Sequence, residues 1–226
     1  IYIYFDDIYK DPMLYRVVKP AKSGVQATLS TVKTYEKSFE TASAANMKVV
    51  LQDVLDDEET PAETYGLLMS SHGSGWLPVG KEIFSPNIIG VDRTPQGDGI
   101  SLIDETGLDK PEGSLTKGLG PSSSNSLSIA DIADAMSVAD FDYLMFDACF
   151  MASVEAMYEL RNSVKYIMAS PAEIMGSGFP MNTVIPAIFN KNTTVRGGLV
   201  RAANAFYNFY ANYPNSNYAS GSIAII

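Results

Sequence analysis

The sequence predicts an α/β protein built around a mostly parallel sheet. Short apolar runs bounded by polar residues alternate with stretches of helical spacing along most of the chain, and this alternation is typical of strand–helix–strand crossover units. The clearest example is the run 142–149, Asp-Tyr-Leu-Met-Phe-Asp-Ala-Cys, which predicts a buried strand leading into a helix at 151–160. At 226 residues and 46% hydrophobic content, the chain can bury one good core. We predict a single domain over 1–226.

The first half of the chain supplies strands and one clear helix. The predicted elements, in order, are strands at 1–5 and 15–19 on either side of a turn at Asp11-Pro12, a weak helix within 28–45 (through Val32, Tyr35 and Phe39), a helix from Asn46 to Asp56, and a buried strand at 65–71. Asn46 is the predicted N-cap of its helix. Because the chain begins and ends inside apolar runs, we also expect strands cut at both ends, as in a processed or truncated chain.

The second half continues the alternation after a long polar segment. The predicted elements are a helix from Ser128 to about Val138 with Asp131 completing a capping box, the strand 142–149, a helix at 151–160 with Met151, Val154, Met157, Tyr158 and Leu160 near one face, a strand at 166–170, a loop to Pro180, helices at 181–189 and 196–210, and a final strand. Segment 77–127 is rich in Gly, Pro and Ser. It predicts either a long functional loop or a surface loop without a function, with a hairpin formed by 88–91 and 100–103.

Composition excludes several classes of function. The net charge of −10, with scattered basic residues, argues against a nucleic-acid-binding protein. No run of about 20 apolar residues is present, so the sequence predicts no membrane-spanning helix. The acidic run from Asp53 to Glu59 predicts a solvated helix end, with cation binding as the alternative. A single cysteine excludes an internal disulfide bond, and the sequence does not determine the oligomeric state.

The only cysteine and the only histidine follow two different predicted strands. Cys149 ends the strand 142–149, and His72 directly follows the strand 65–71. Parallel strands end at one edge of a sheet, where open α/β folds place their chemistry, so we expect the two side chains to meet. A thiol is a weak nucleophile until a neighbouring imidazole or a helix N-terminus activates it, and the helix predicted after Cys149 would supply such a terminus. The alternative role of a single cysteine is a small buried hydrophobic residue.

The residues after the histidine suit acyl chemistry. The sequence Ser-Ser-His-Gly-Ser-Gly-Trp places glycines at 73 and 75, where the backbone can approach a substrate and its N–H groups can face a developing oxyanion. Trp76 is a candidate wall of the substrate cleft, with ordinary packing as the alternative. A serine esterase is excluded, because no Gly-x-Ser-x-Gly elbow and no later histidine are present.

The motifs His-Gly-Ser-Gly-Trp at 72–76 and Phe-Asp-Ala-Cys-Phe-Met-Ala at 146–152 resemble the clostripain family of cysteine peptidases, which shares a clan with caspases, gingipains, legumain and separase. The resemblance extends over Glu155, the run ending at Arg161, Ser170-Pro171 and Gly178-Phe179-Pro180. It implies a caspase-like α/β/α sandwich, a catalytic dyad of His72 and Cys149, and an oxyanion hole formed by the N–H groups of Gly73 and Cys149. A catalytically inactive, peptide-binding protein of the same fold remains the alternative function.

The same resemblance implies cleavage after Arg or Lys, which requires an acid in the substrate pocket. Asp147 matches the family and is one candidate, with capping of the following helix as its alternative role. Ser177 stands where close relatives often carry an acid, and Glu173 is a candidate substitute.

Relatives are generally exported bacterial enzymes that cut themselves between the dyad residues. This makes Lys110 and Lys117 hypothetical processing sites and predicts a secreted or cell-surface protein acting on protein or peptide substrates. No cofactor is required; calcium, which some relatives use, has only Asp92 and Asp98 as isolated candidate ligands.

Overall fold

A computed structural model describes residues 1–7, 10–22, 24–59, 62, 64–73, 75, 119–122, 125–174, 177–189, 193–213 and 222–226. The elements in chain order are β1 (Tyr2–Asp7), β2 (Lys10–Val18), β3 (Thr28–Thr34), α1 (Ala44–Leu55), β4 (Tyr65–Ser70), β5 (Leu119–Ser122), β6 (Asn125–Leu127), α2 (Ile129–Ala135) continued by a 3₁₀ turn (Met136–Val138), β7 (Phe141–Asp147), α3 (Val154–Leu160), β8 (Val164–Ala169), α4 (Met181–Ile188), α5 (Val195–Ala211) and β9 (Ala224–Ile225).

The central sheet has the strand order β4-β7-β8-β9. β4, β7 and β8 run parallel, and β9 pairs antiparallel with β8. The prediction of a mostly parallel sheet is therefore confirmed. β7 lies between two neighbours and is buried along most of its length, which explains its near-continuous apolar sequence.

The two faces of the central sheet bury two separate apolar clusters. Leu144 and Phe146 of β7 pack into one cluster with residues of α1, α2 and α3. Met145, which points the opposite way along the strand, packs into the other with residues of α4 and α5. Since fully burying a side chain of this size contributes about 1.5–3 kcal/mol, both helical layers are held to the sheet. The result is the predicted α/β/α sandwich.

A second, antiparallel sheet of order β1-β2-β3 packs on α1. Leu14, Tyr35 and Val50 form its small core. The weak helix predicted within 28–45 is wrong, because Thr28–Thr34 forms β3, whose Thr- and Val-rich sequence suits a half-exposed strand. The turn predicted at Asp11-Pro12 is also wrong, since both residues lie in β2.

The sequence predicts where the helices lie more accurately than it predicts the residue at which each helix begins. The capping box of Ser128 and Asp131 is confirmed at the start of α2. However, Ser43 and not Asn46 caps α1, and Asn46 instead donates its side-chain amide to the carbonyl of Glu40. The helix predicted from Met151 begins only at Val154, where Ser153 is the N-cap. Its predicted inner face is wrong in part, because Val154 is 82% exposed and Tyr158 is 64% exposed.

Part of the long polar segment is ordered as strand. β5 and β6 pair antiparallel just before α2, where the sequence predicts loop. The predicted hairpin at 88–103, together with Trp76, Asp92, Asp98, Lys110 and Lys117, lies outside the described residues. The single domain over 1–226 stays a prediction. Among the helices of the described ranges, none is long and apolar enough to cross a membrane.

Candidate active site

The strand pairing places His72 and Cys149 at the same edge of the sheet. β4 and β7 are parallel, and their last residues, Ser70 and Asp147, are partners in the ladder. His72 lies two residues beyond Ser70, and Cys149 lies two residues beyond Asp147. The two side chains therefore leave neighbouring strands at the same offset, as the sequence predicts.

Backbone contacts on both sides of His72 reach the segment that carries Cys149. The N–H of Ser71 donates to the carbonyl oxygen of Asp147 at 3.3 Å. A β-carbon at Gly73 would lie only 2.6 Å from the carbonyl oxygen of Cys149, so this close approach requires glycine. The His72 side chain is exposed between these two contacts.

The thiol of Cys149 is half-buried and contacts one backbone segment. Its Sγ accepts a hydrogen bond from the N–H of Ile174 at 3.3 Å and lies 3.7 Å from the carbonyl oxygen of the same residue. The segment 170–174 runs beside the turn that follows Cys149, because Phe150 donates its N–H to the carbonyl of Ala172 at 3.0 Å. The peptide chain after β8 therefore forms one wall beside the sulfur.

The environment of Cys149 favours the protonated thiol. Burial raises the pKa of the thiol above its ordinary value, the nearby charges of Glu173 and Asp147 raise it further, and the hydrogen bond from Ile174 opposes them. The predicted activation by a helix N-terminus is wrong, because α3 begins at Val154 and its N-terminus is not at the cysteine. The imidazole is then the remaining candidate that could take the thiol proton.

Asp147 lies at the end of β7 and is buried, with 8% of its surface exposed. Its Oδ1 accepts the N–H of Phe179 and its Oδ2 accepts the hydroxyl of Ser70, each at 3.0 Å. Burial raises the pKa of this carboxyl, and the two hydrogen bonds oppose the rise. The alternative role as a helix cap is wrong, because Ser153 caps α3.

The other predicted substrate-binding residues lie in the segment after β8. Glu173 is exposed and close enough for its charge to act on the Cys149 thiol. Ser177 is exposed, and its Oγ lies 3.3 Å from the hydroxyl of Tyr213. Trp76 and both candidate processing lysines lie outside the described residues. Across the described ranges, no group of three or more His, Cys, Asp or Glu side chains could hold a metal ion.

The family model of the clostripain family matches residues 109–226, which include Asp147 and Cys149. The chain belongs to the clostripain family. His72 lies outside the matched range, so its place in the site rests on the strand geometry. A comparison with curated proteins finds no match.

Solved structures support the same family. The chain is 29% identical to a secreted C11 cysteine protease from Bacteroides thetaiotaomicron bound to an irreversible peptide inhibitor, with a TM-score of 0.70 over 100% of this chain and 55% of that one. It is 28% identical to an inactive zymogen C11 protease from Parabacteroides distasonis, with a TM-score of 0.69 over 100% of this chain and 50% of that one. The chain therefore spans about half the length of these clostripain-family structures, and it shares their caspase-like fold.

Three features of the site carry no signal in the sequence. The Ile174 contact to the sulfur depends on how the segment after β8 folds back over the sheet edge. The buried Tyr210, whose hydroxyl donates to the carbonyl of Gly178 at 2.7 Å, resembles any other apolar helix position. Phe150, directly after Cys149, has a φ of 60°, which is strained for an aromatic residue and is typical of functional turns.

Proposed function

We propose that this protein is a cysteine endopeptidase that hydrolyses peptide bonds with Cys149 as nucleophile and His72 as general acid and base. One observation carries the proposal: the two residues follow ladder partners of adjacent parallel strands at the same offset, and Gly73 packs directly on the backbone of Cys149. Membership of the clostripain family supports the same reaction class.

The proposed reaction proceeds through a thioester. His72 accepts the Sγ proton as the sulfur attacks the carbonyl carbon, and then transfers that proton to the leaving amine as the peptide bond breaks. A water molecule, deprotonated by His72, attacks the thioester and releases the acid and the thiol. The raised pKa of Cys149 makes this proton transfer necessary, because the thiol is mostly protonated near neutral pH. No step requires a metal or an organic cofactor, and a role for calcium stays a prediction.

The backbone N–H groups of Gly73 and Cys149 are the proposed oxyanion hole. Support comes from the close approach of Gly73 to the carbonyl oxygen of Cys149, which brings the two backbone segments together. Two donors of this kind stabilise the negative oxygen of the tetrahedral intermediate. Loss of one typically costs about 3 kcal/mol of barrier.

We propose that Glu173 provides the acid for a preference for Arg or Lys before the scissile bond. Its carboxylate is exposed, next to Ile174, and acts on the thiol electrostatically. Asp147 was the first candidate from the sequence, but both of its oxygens already accept hydrogen bonds from the protein. Ser177 has no charge to offer a basic side chain, and a cleft role for Trp76 stays a prediction.

A labelling experiment tests the dyad. A peptide carrying a thiol-reactive group should modify Cys149 much faster than iodoacetamide does, and His72→Ala should abolish that advantage while leaving slow alkylation. Intact-mass measurement of the wild type, Cys149→Ala and His72→Ala proteins decides the result. Peptide-dependent labelling without turnover of any peptide would instead indicate the inactive binding protein.

A mixed peptide library tests the specificity. Wild type should enrich cleavage after Arg and Lys, and Glu173→Gln should reduce that enrichment by about tenfold, the loss expected for one charge-assisted contact. Glu159→Gln is the matched control, since Glu159 is an exposed glutamate on α3. No enrichment of basic residues in the wild type would contradict the proposal.

Processing and export complete the proposed function. The related protein from Parabacteroides is described as an inactive zymogen and the one from Bacteroides thetaiotaomicron as secreted, which supports a self-cleaved, exported enzyme here. We place the cleavage after Lys110 or Lys117. Incubation of the purified protein should cut it there, and Cys149→Ala should remain intact; a cut of equal rate in Cys149→Ala would contradict self-processing.

A further inference from the structure

Two backbone hydrogen bonds tie the segment after β8 to the turn that follows β7. The N–H of Ala152 donates to the carbonyl oxygen of Ser170 at 2.9 Å, and the N–H of Phe150 donates to the carbonyl oxygen of Ala172 at 3.0 Å. A step of two residues backward on one segment matches a step of two residues forward on the other, so the segments run antiparallel. The next step of this kind reaches the beginning of the turn, where the thiol lies.

The hydroxyl of Ser170 fixes the shape of this segment. Ser170 is fully buried, and its Oγ donates to the carbonyl oxygen of Ala172 at 2.8 Å and accepts the N–H of Ala172 at 3.1 Å. The carbonyl oxygen of Ala172 also accepts the N–H of Phe150, so Ala172 is held from two sides. Because breaking buried hydrogen bonds is costly, we expect the segment to keep this conformation when the active site is empty.

The N–H of Ile174 has the Cys149 sulfur as its partner. The distance from nitrogen to Sγ is 3.3 Å. The carbonyl oxygen of Ile174 lies 3.7 Å from the sulfur, so the N–H is the closer of the two groups. A hydrogen bond from an N–H strengthens when its acceptor carries negative charge, whereas a contact with a carbonyl oxygen favours the protonated thiol. The closer group is therefore the one that favours the thiolate.

The other influences on the sulfur act mainly against the thiolate. Burial raises the pKa of Cys149 most, and the charges of Glu173 and Asp147 raise it further, whereas the hydrogen bond from Ile174 lowers it. His72, which follows the neighbouring strand, is the titratable side chain that would take the thiol proton. The thiolate must nevertheless form for attack, and it is released again when the thioester is hydrolysed. A donor held on the sulfur stabilises it at both points.

We propose that the backbone N–H of Ile174 is a catalytic donor that stabilises the sulfur of Cys149 as a thiolate, and that the buried hydroxyl of Ser170 positions this donor. This role rests on the proposed peptidase function. It adds a donor on the sulfur to the two donors proposed for the carbonyl oxygen of the substrate. His72 still accepts the thiol proton, so the steps of the reaction stay the same and only the cost of charge on the sulfur changes.

The variant Ile174→Pro removes the N–H and leaves the thiol in place. The pH profile of Cys149 alkylation by iodoacetamide should move to higher pH, and the rate at neutral pH should fall by about threefold to tenfold. Ile174→Ala is the matched control, because it shortens the side chain, keeps the N–H and should leave the midpoint unchanged. The rate at high pH, where the thiol is ionised, reports access to the sulfur separately. An unchanged or lower midpoint in Ile174→Pro would overturn the proposal.

The variant Ser170→Ala tests the same contact without a change at residue 174, and it decides the question if Ile174→Pro does not fold. Loss of the hydroxyl frees the turn at Ala172, so the midpoint should again move to higher pH, with a fall of about two- to fivefold in the rate at neutral pH. Ser163→Ala, directly before β8 at its opposite end, is the control and should leave the profile unchanged. An unchanged midpoint in Ser170→Ala would contradict the positioning role.

A double variant tests whether the two residues act through one contact. Because Ser170 acts through the N–H of Ile174, the variant that combines Ser170→Ala with Ile174→Pro should differ little from Ile174→Pro alone. Fully additive shifts of the midpoint would mean that the hydroxyl acts on the sulfur by another route, and they would overturn the pairing of the two residues.

Peptide hydrolysis separates this role from the proposed function. In Ile174→Pro, kcat/KM for one peptide substrate should fall by about threefold to tenfold, in step with the alkylation rate at neutral pH. Ser163→Ala should stay within about twofold of the wild type. A wild type that hydrolyses no peptide would refute the proposed function, while a shifted alkylation profile would still support the donor on the sulfur. Hydrolysis by the wild type with an unchanged midpoint in both Ile174→Pro and Ser170→Ala would refute this role alone.

Discussion

The two ends of β7 carry buried aspartates that have different partners. At the amino end, Asp142 is 7% exposed and forms an ion pair of 2.6 Å with Lys165. At the carboxyl end, Asp147 is 8% exposed and accepts hydrogen bonds only from neutral groups, Ser70 and Phe179, within the described part of the chain. The burial is nearly the same, so the difference lies in the partners.

This difference indicates what each end of the strand is for. Pairing with Asp142 raises the pKa of Lys165 and neutralises the carboxylate, as expected where only stability matters. When Asp147 is ionised, its charge raises the pKa of the Cys149 thiol. A buried acid that has no cationic partner among the described residues, close to a thiol, is typical of an edge selected for function over stability.

The largest expected contrast between the two ends is in activity. Cys149→Ser should lower kcat/KM for peptide hydrolysis by about 10³-fold or more, because the nucleophile is lost. Asp142→Asn should stay within about twofold of the wild type, since it lies at the opposite end of the strand. Steady-state kinetics with one peptide substrate measure both, and a large loss in Asp142→Asn would break the comparison.

A smaller effect is expected on thiol reactivity. Because the pKa of Cys149 is raised, thiolate forms only as the pH rises, and alkylation by iodoacetamide should accelerate across the alkaline range. Glu173→Gln removes a negative charge, lowers that pKa, and should speed alkylation at neutral pH by about two- to fivefold. Asp142→Asn should leave the pH dependence of alkylation unchanged. An unchanged profile in Glu173→Gln would place Glu173 away from the sulfur.

A stability effect of about 1 kcal/mol is expected behind the carboxyl end. Tyr210→Phe removes the hydroxyl that donates to the carbonyl of Gly178, and the unpaired carbonyl should lower the free energy of unfolding by about that amount. Tyr207→Phe, on the 58% exposed Tyr207 of the same helix, is the matched control and should have no effect. Urea denaturation measures the free energy of unfolding of both variants. Equal values would show that the Tyr210 hydroxyl does not stabilise the protein.

The finest test compares the sign of stability changes at the two ends. The pKa of Asp147 is raised in the folded protein, so its ionisation costs stability as the pH rises through that pKa. Asp147→Asn should therefore be more stable than the wild type at pH 7, and the gain should vanish below the ordinary carboxyl pKa of about 3.9. Asp142→Asn loses an ion pair and should be less stable at pH 7. Thermal unfolding at pH 7 and at a pH below the ordinary carboxyl pKa measures both variants. If the two variants change stability in the same direction at pH 7, the comparison is contradicted.

The central sheet could be predicted from sequence because β7 is buried along most of its length, and because β4, although only partly buried, has a similar apolar run. The runs at 65–71 and 142–149 are nearly continuous in apolar residues, and β4 and β7 match them within a residue or two. The N-terminal sheet lacks that signal. Val32, Tyr35 and Phe39 do pack in one cluster, but they reach it from a strand and the loop after it, and their spacing imitates a helix.

The placement of His72 and Cys149 at one edge could be predicted because parallel strands share that edge, which needs only the positions of two strand ends. The contacts that surround these two residues could not be predicted. Ser70 and Phe179 meet Asp147 through tertiary packing, and Ile174 reaches the sulfur through a fold-back after β8. The start of α3 was predicted three residues early because Phe150 turns the chain in a left-handed conformation before Ser153 can cap the helix.

β4 and β7 are neighbours in the sheet although a long interval of chain separates them. A break in that interval would yield two polypeptides that still share one hydrogen-bonded ladder and one hydrophobic core. The carboxylate of Asp147 would bridge them as well, since it accepts from Ser70 on the first piece and from Phe179 on the second. Covalent continuity across this interval is therefore not what keeps the imidazole and the thiol together, and a severed chain can remain one folded particle.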